Sequence, residues 1–352
     1  MATIRERAGR WQAIIKRKGY PQQSKTFDIK KDAEKWARQE ERAMDAGTWA
    51  DQSAAMQTTL AEALVRYEKE VTSGKKGADT ERVRITKWKR HKLAQKALGT
   101  LKASDFAGYR DARLKDGAAA ATVRLELAII SNLFNVARKE WSFEGLANPI
   151  EAMRLPTSKN ARNRLFLDGE EARLLQALAP AARGEDGRFG DGCANPLLRP
   201  LVQLALATAM RRGELLALRW ENIRLADRVA HLTDTKNGHS RDVPLSSAAA
   251  EVLRALPRAI RGPVFPITPN AVKLGFVRAV ERARKRYEAE GGKDERMLSD
   301  LHFHDLRHIA VTALAEKLPN IVELAAVSGH QDVRMLRRYY HPKAEDLARK
   351  LG

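Results

Sequence analysis

The sequence of 352 residues is poorest in cysteine: Cys193 is the only one, so neither an internal disulfide nor a cysteine zinc cage is available to it. A reducing compartment is the expectation. There is no apolar run of about 18 residues, and the opening MATIRERAGRW lacks the apolar core of a signal peptide, so a cytoplasmic protein with no membrane partner is expected. No GxxxxGK[ST] phosphate loop occurs, which removes the commonest nucleotide site. No repeat or low-complexity tract stands out. Acidic side chains are also short, 44 against 64 Lys and Arg, which leaves a formal charge of +20.

That surplus is spread along the chain: +5 over residues 1–50, +7 over 58–150 and +9 over 151–352. A charge held by every segment suits a protein that lies along a polyanion with several modules, each neutralised phosphate releasing counterions. A soluble protein of high isoelectric point would show the same total.

Hydrophobic patterning divides the chain into three modules. Residues 1–50 read as short antiparallel strands, GRWQAIIKRKG and SKTFDI around a Lys18-Gly19 turn, followed by a helix from about Lys31 to Gly47 with Ala33, Trp36, Ala37, Glu40 and Ala43 at helical spacing. DQSAAMQ at 51–57 reads as a linker. Residues 58–150 read as all-helical. Thr59 and Glu62 form a capping box, a second helix is expected from about Thr80 to Lys96, a third spans SDFAGYRDARLKDG, and a fourth from Thr122 carries Leu127, Ile130, Phe134 and Ala137 on one stripe. Arg82, Arg84, Lys87, Lys89 and Arg90 surround Trp88 and form a candidate DNA-binding face, although such runs are more often a solvated helix surface. After the basic connector LPTSKNARNR, the region 160–352 is expected to be mostly helical with one hairpin, TDTKNGHSRDVPL, turning at Asn237-Gly238. The fold class is thus mainly α with small β elements, in a multidomain chain.

Four pieces of the last region carry polar chemistry: Arg211-Arg212-Gly213-Glu214, Lys236 beside the hairpin turn, His304-Asp305-Leu306-Arg307-His308, and Ser328-Gly329-His330 with Tyr339 nine residues on. Each alone is ordinary. Arg211 and Glu214 could be a plain i, i+3 pair, and His302, His304 and His308 a metal site lacking further ligands. Together they are less ordinary, because five of the eight histidines fall between 302 and 341, beside Arg307 and two tyrosines.

In the order Arg211, Lys236, His304-x-x-Arg307, His330, Tyr339 the sequence resembles the tyrosine recombinases, the phage-type integrases, over essentially its whole length. It departs from them at Ala209, often Gly in the family, at Ser328, often Leu, and at Ile309, often a small hydroxyl residue. The loop RGEDGRFGDGCAN is longer than a minimal domain needs, and the adjacent Tyr340 leaves the nucleophile resting on the His330 offset.

The resemblance implies an N-terminal arm-type DNA-binding module at 1–50, a core-binding domain at 58–150 and a catalytic domain at 160–352. It implies strand exchange through a 3′-phosphotyrosine, with Tyr339 as nucleophile, Arg211 and Arg307 clamping the phosphate, Lys236 as acid, His304 as base or relay and His330 as donor to the phosphate. Glu214 and His308 would support them. Two permanently charged guanidiniums can stabilise the developing charge without a metal, so neither metal nor cofactor is expected. The implied partners are double-stranded DNA attachment sites of a phage or other mobile element in a prokaryotic host, further copies of the chain forming a homo-tetramer on DNA, and a host DNA-bending protein and excisionase as accessory factors. AEDLARKL at 344–351 could form a docking helix. The alternatives are a type IB topoisomerase-like relaxing enzyme and a non-catalytic DNA-binding protein derived from an integrase.

Overall fold

The computed structural model describes residues 2–47, 49, 51, 53–143, 145–157, 162–181, 190–233, 240–340, 348, 349 and 351. It divides into two units, Met1–Asn160 and Ala161–Gly352.

The first unit begins with an antiparallel sheet of β1 (Ala2–Arg7), β2 (Arg10–Ile15) and β3 (Gln23–Phe27), in that order, followed by helix α1 (Lys30–Asp45). Strands β2 and β3 and the helix occupy the segments that the alternation indicates. Strand β1 lies outside those segments, because most of its side chains are exposed and only Ala2 and Ile4 lean on the core. It is held through register with β2 and a tight turn at Ala8-Gly9, both in the left-handed region. Ala13, Ile15, Ala33, Ala37 and Met44 form a small buried cluster.

The expected linker is instead structured. Helix α2 (Ser53–Gln57) buries Ala55 in the next core, and its Met56 lies so close to Gly99 that a Cβ there would come within 2.9 Å of the sulfur. Helices α3 (Leu60–Glu70), α4 (Ala78–Arg90), α5 (Ala103–Lys115) and α6 (Ala120–Glu140) complete this module. Thr59 and Glu62 form the expected capping box, with the Glu62 N–H donating to Thr59 Oγ1 at 3.2 Å and the Thr59 N–H donating to Glu62 Oε2 at 2.8 Å. Helix α4 stops at Arg90 and does not run to Lys96, since His91 turns extended and accepts the Leu93 N–H on its own ring at 3.3 Å. On α6 the stripe is wider than expected: Val123, Ile129 and Leu133 are buried with Leu127, Ile130, Phe134 and Ala137. By length and composition α6 could cross a membrane, but here it is the central helix of a packed core.

Trp88 itself lies buried beneath that run of basic residues. It is 1% exposed, and its indole N–H donates to the Glu126 carbonyl at 2.9 Å. Of the basic residues around it, Lys87 pairs with Glu126 at 2.7 Å, Lys89 with Glu68 at 2.6 Å and Arg82 with Asp79 at 2.9 Å. Arg84 is half-buried and Arg90 exposed.

In the second unit, helices α7 (Glu170–Ala177), α8 (Leu198–Thr208) and α9 (Arg212–Leu216) precede a sheet of β4 (Ile223–Arg224), β5 (Val229–Leu232) and β6 (Arg241–Pro244). Three antiparallel strands replace the single hairpin expected, with Ala230 opposite Val243 and Leu232 opposite Arg241. Lys236 and the Asn237-Gly238 turn between β5 and β6 lie outside the described residues, as do 182–189 of the long loop and most of AEDLARKL. Helices α10 (Ser247–Arg254), α11 (Pro269–Ala289), α12 (Asp305–Lys317) and α13 (Ile321–Ser328) follow, then a 3₁₀ helix, Val333–Tyr339. The main core includes Leu201, Trp220, Val243, Phe265, Phe276 and Leu306. A smaller cluster of Ala209, Ala310, Val311, Leu324 and Leu336, with Tyr339 packed on it, underlies the residues of interest.

Glu126 is the charged group on which the helical module most depends, because its carboxylate is 3% exposed and joins three helices. Lys87 of α4 donates at 2.7 Å, the Tyr109 hydroxyl of α5 at 2.8 Å, and Arg113 of α5 at 3.2 Å to each oxygen. Burial alone would raise its pKa, but these donors outweigh that and hold it below the ordinary glutamate value. Its contribution is present above the unfolded value and is lost as pH falls through the lower folded value. Glu126→Ala is expected to lower the opening free energy of the α4 to α6 amides by about 3 kcal/mol, measured by hydrogen exchange on the full chain at pH 7. A loss under about 1 kcal/mol would show the carboxylate to be dispensable.

Candidate active site

Helix α8 ends where Ala209 enters the left-handed region, φ 54°, a conformation that costs a residue with a Cβ about 1 kcal/mol. The Thr208 hydroxyl donates back to Leu204 O at 2.6 Å and helps close the turn. This reversal leaves the Ala209 carbonyl to accept from Arg307 Nη1 at 2.5 Å. The chain then sets Arg211 just before α9, one turn from Glu214.

Glu214 is 3% exposed and holds two arginines. It accepts the Arg211 N–H at 3.0 Å, Arg211 Nη1 at 2.7 Å and Arg241 Nη2 at 2.9 Å. Burial pushes this carboxyl up, but the Arg211 N–H and the two guanidiniums reverse the shift, so Glu214 is anionic at neutral pH. Arg241, at the start of β6, also donates to Val327 O at 2.7 Å. Sequence reasoning missed Arg241; the available signal was its place in SRDVPL, where the strand resumes after the turn.

Arg307 is 7% exposed, and burial together with the charges of Arg211 and Arg241 lowers its pKa to about 10, still charged at neutral pH. Its Nη2 donates to Ser328 O at 2.7 Å, while Arg211 Nη2 donates to the next carbonyl, Gly329 O, at 3.2 Å. Gly329, with φ 68°, terminates α13, and a Cβ on it would fall 2.5 Å from Arg241 Nε. A glycine is therefore required both by backbone conformation and by the arginine beside it.

His330 follows. Its Nδ1 lies 2.7 Å from Ser328 Oγ and its Nε2 3.3 Å from Arg307 Nη2. Burial, then Arg307, Arg211 and Arg241, lower its pKa to about 4, against a smaller opposing effect of Glu214. Tyr339 ends the 3₁₀ helix half-buried, its ring 4.9 Å from that of His308 in an edge-on contact and beneath the Arg338 guanidinium at 5.4 Å. Burial pushes the Tyr339 hydroxyl up, so it is protonated at neutral pH and needs a base before it can act as a nucleophile.

The structure thus brings together Arg211, Glu214, Arg307 and His330, and sets His308 against the Tyr339 ring. His304 caps α12 on the exposed side, three residues before Arg307. Lys236 lies outside the described residues. Among the described residues no group of three or more His, Cys, Asp or Glu side chains is arranged to hold a metal.

The connector supplies further support that the sequence did not reveal. Asp305, 2% exposed, accepts both Arg162 Nε and Nη2 at 2.9 Å and the His302 N–H at 2.8 Å, which fixes the start of α12. Arg338, next to Tyr339, donates to Arg162 O at 2.5 Å, to Asn163 Oδ1 and to His308 Nε2 at 3.2 Å.

Residues 190–346 match the model of the Phage integrase family. A shufflon-specific DNA recombinase of Escherichia coli is 40% identical over 301 residues, covering 83% of this chain and 71% of the relative. A putative integrase/recombinase of Haemophilus influenzae is 32% identical over 357 residues, covering 99% of this chain and 88% of that one. Among solved structures, the Tn1549 transposon integrase with circular intermediate DNA matches with a TM-score of 0.65 at 16% identity, over 84% of this chain and 100% of that one. A lambda integrase tetramer bound to a Holliday junction matches with a TM-score of 0.62 at 20% identity, over 95% of this chain and 93% of that one. At these identities the structural likeness is one of fold.

The electrostatics of His330 can be checked directly. Its folded pKa is depressed, so the unfolded state binds the extra proton first, and stability falls as pH drops from about 6.5 toward about 4. In a proton-detected NMR titration of the full chain, the His330 ring resonance should move with a midpoint near 4. A midpoint near 6.5 would show that the arginines around it do not act as described.

Proposed function

Because this chain belongs to the phage integrase family of tyrosine recombinases, we propose that the Arg211 and Arg307 pair holds the scissile DNA phosphate and that Tyr339 attacks it. The chain is a site-specific DNA recombinase, an enzyme that exchanges DNA strands. The observation that supports the residue roles is the charge imbalance of the site. Arg211, Arg241 and Arg307 crowd together with Glu214 as the carboxylate that pairs two of them, so an anion placed there relieves their mutual repulsion.

In the proposed reaction the Tyr339 oxygen forms a bond to phosphorus and the bond from phosphorus to the 5′-oxygen breaks. The tyrosine proton passes to His304, and Lys236 gives a proton to the departing 5′-oxygen. Negative charge gathers on the non-bridging oxygens in the transition state, where Arg211 and Arg307 stabilise it bidentately, and His330 donates a further hydrogen bond. A 3′-phosphotyrosine conserves the bond energy until a 5′-hydroxyl from a partner duplex reverses the step. Glu214 keeps Arg211 aimed, and His308 supports the Tyr339 ring through its edge-on contact.

The same reading assigns an arm-type DNA-binding module to residues 1–50, a core-binding domain to 58–150, with Arg82, Arg84, Lys87, Lys89 and Arg90 toward DNA, and the catalytic domain to 160–352. The substrates are attachment sites through which a phage or other mobile element is integrated or excised. Four copies assemble on two sites, with a host DNA-bending protein and an excisionase as accessory partners.

Tyr339→Phe is expected to reduce covalent adduct on a nicked core-site duplex by more than about 10³-fold with binding preserved, since only the attacking oxygen is lost. Tyr340→Phe should still form adduct; the reverse pattern would move the nucleophile to Tyr340. Adduct formation by the wild type should also persist in excess EDTA. Loss of cleavage in chelator, restored by a divalent ion, would assign the phosphate charge to a metal.

A further inference from the structure

The hydrogen bonds around His330 specify which ring nitrogen carries its proton. Ser328 is fully buried, and its hydroxyl lies 2.5 Å from Leu324 O, a group that only accepts, so the serine proton is committed to that carbonyl. Ser328 Oγ also lies 2.7 Å from His330 Nδ1. With its own proton engaged, the serine oxygen must accept, and Nδ1 must carry the hydrogen. The other side of the ring agrees independently: Arg307 Nη2, 3.3 Å from Nε2, only donates, so Nε2 presents a lone pair. The neutral imidazole is therefore held as its Nδ1–H tautomer. The nitrogen on the side of the guanidinium pair, the one that would serve a phosphate bound there, has no hydrogen to give.

We propose that Ser328 makes the phosphate contact of His330 proton-coupled: the imidazole takes up one proton from solvent at Nε2 when the phosphodiester enters the Arg211 and Arg307 clamp, and releases it when the phosphate leaves. The proposal rests on the assignment of that clamp to the scissile phosphate.

The groups that face His330 explain why the coupling follows phosphate binding. Arg307 on α12, Arg211 before α9 and Arg241 on β6 oppose a further positive charge, and Glu214 on α9 favours it. In the free site the balance keeps the imidazole neutral, with a pKa of about 4. A phosphodiester anion among these arginines cancels part of their field and adds an acceptor on the Nε2 side, both of which favour the imidazolium. The imidazolium then donates on both sides, to Ser328 Oγ through Nδ1–H and to a phosphate oxygen through Nε2–H. The Arg307 N–H that had been directed at Nε2 becomes free for the phosphate. Without the serine hydroxyl, no partner would fix the proton on Nδ1, and the neutral ring could present Nε2–H with no uptake.

The test is the pH profile of single-turnover Tyr339 adduct formation by the full chain, at saturating protein on a nicked duplex. For the wild type, the rate should fall at least about tenfold between pH 6 and pH 8. Ser328→Ala should lose most of that decline, retaining less than about a twofold change over the interval. His330→Trp, whose indole N–H donates without titrating, should lose it too, which keeps the test open if Ser328→Ala folds poorly. Calorimetry at pH 6, in two buffers of different ionisation enthalpy, should show close to one proton taken up as Tyr339→Phe binds the duplex, and less when Ser328→Ala is added. Coincident profiles for wild type, Ser328→Ala and His330→Trp, with equal proton uptake, would overturn the proposal. Absence of any Tyr339 adduct in the wild type at every pH would instead overturn the assignment of the site on which it rests.

Discussion

The second unit is arranged around like charges held close together. Arg211, Arg241 and Arg307 come from three separate elements, and each prefers to be apart from the others. What keeps them in place is a set of acceptors that cannot themselves move freely: the Glu214 carboxylate and the carbonyls of Ala209, Val327, Ser328 and Gly329. Neutral carbonyls orient a guanidinium without cancelling its charge, so the site stays positive yet ordered. A second carboxylate would stabilise the free protein better and leave less attraction for a phosphate.

Backbone conformation is subordinated to the same arrangement. Ala209 occupies the left-handed region with its side chain fully buried, and in doing so presents its carbonyl to Arg307. Gly329, at the end of α13, also lies in the left-handed region and presents its carbonyl to Arg211, where the Arg241 side chain leaves no space for a Cβ. Both positions close helices, so the αL residue that ends α8 and the one that ends α13 also build the clamp. The small cluster beneath, with Leu324 and Leu336 fully buried, carries Tyr339 on its margin and fixes the segment that bears it.

Parts of the fold were readable because they rest on local rules. The Thr59 capping box, the α6 stripe and the Lys18-Gly19 turn depend on residues within a few positions of one another. Misreadings arose where a distant partner decided. DQSAAMQ looks like a linker until Ala55 finds the helical core, and nothing in KWKR says that its Trp88 is buried until Glu126, 38 residues away, takes the indole N–H. The edge strand β1 has almost no apolar signal of its own, because its partner supplies the register.

The sequence by itself determined the family and the order of the chemical groups. Those are properties of residue type and spacing, and R, K, HxxR, H and Y in that order survive without any knowledge of distance. Only the tertiary structure decided how these groups act on one another. That Arg241 shares Glu214 with Arg211, that Arg162 and Asn163 hold Arg338 beside Tyr339, and that Ser328 commits the His330 proton to Nδ1 are relations between atoms brought within about 3 Å by folding. Electrostatic and hydrogen-bond energies depend on separation and burial, neither of which a linear order of residues contains.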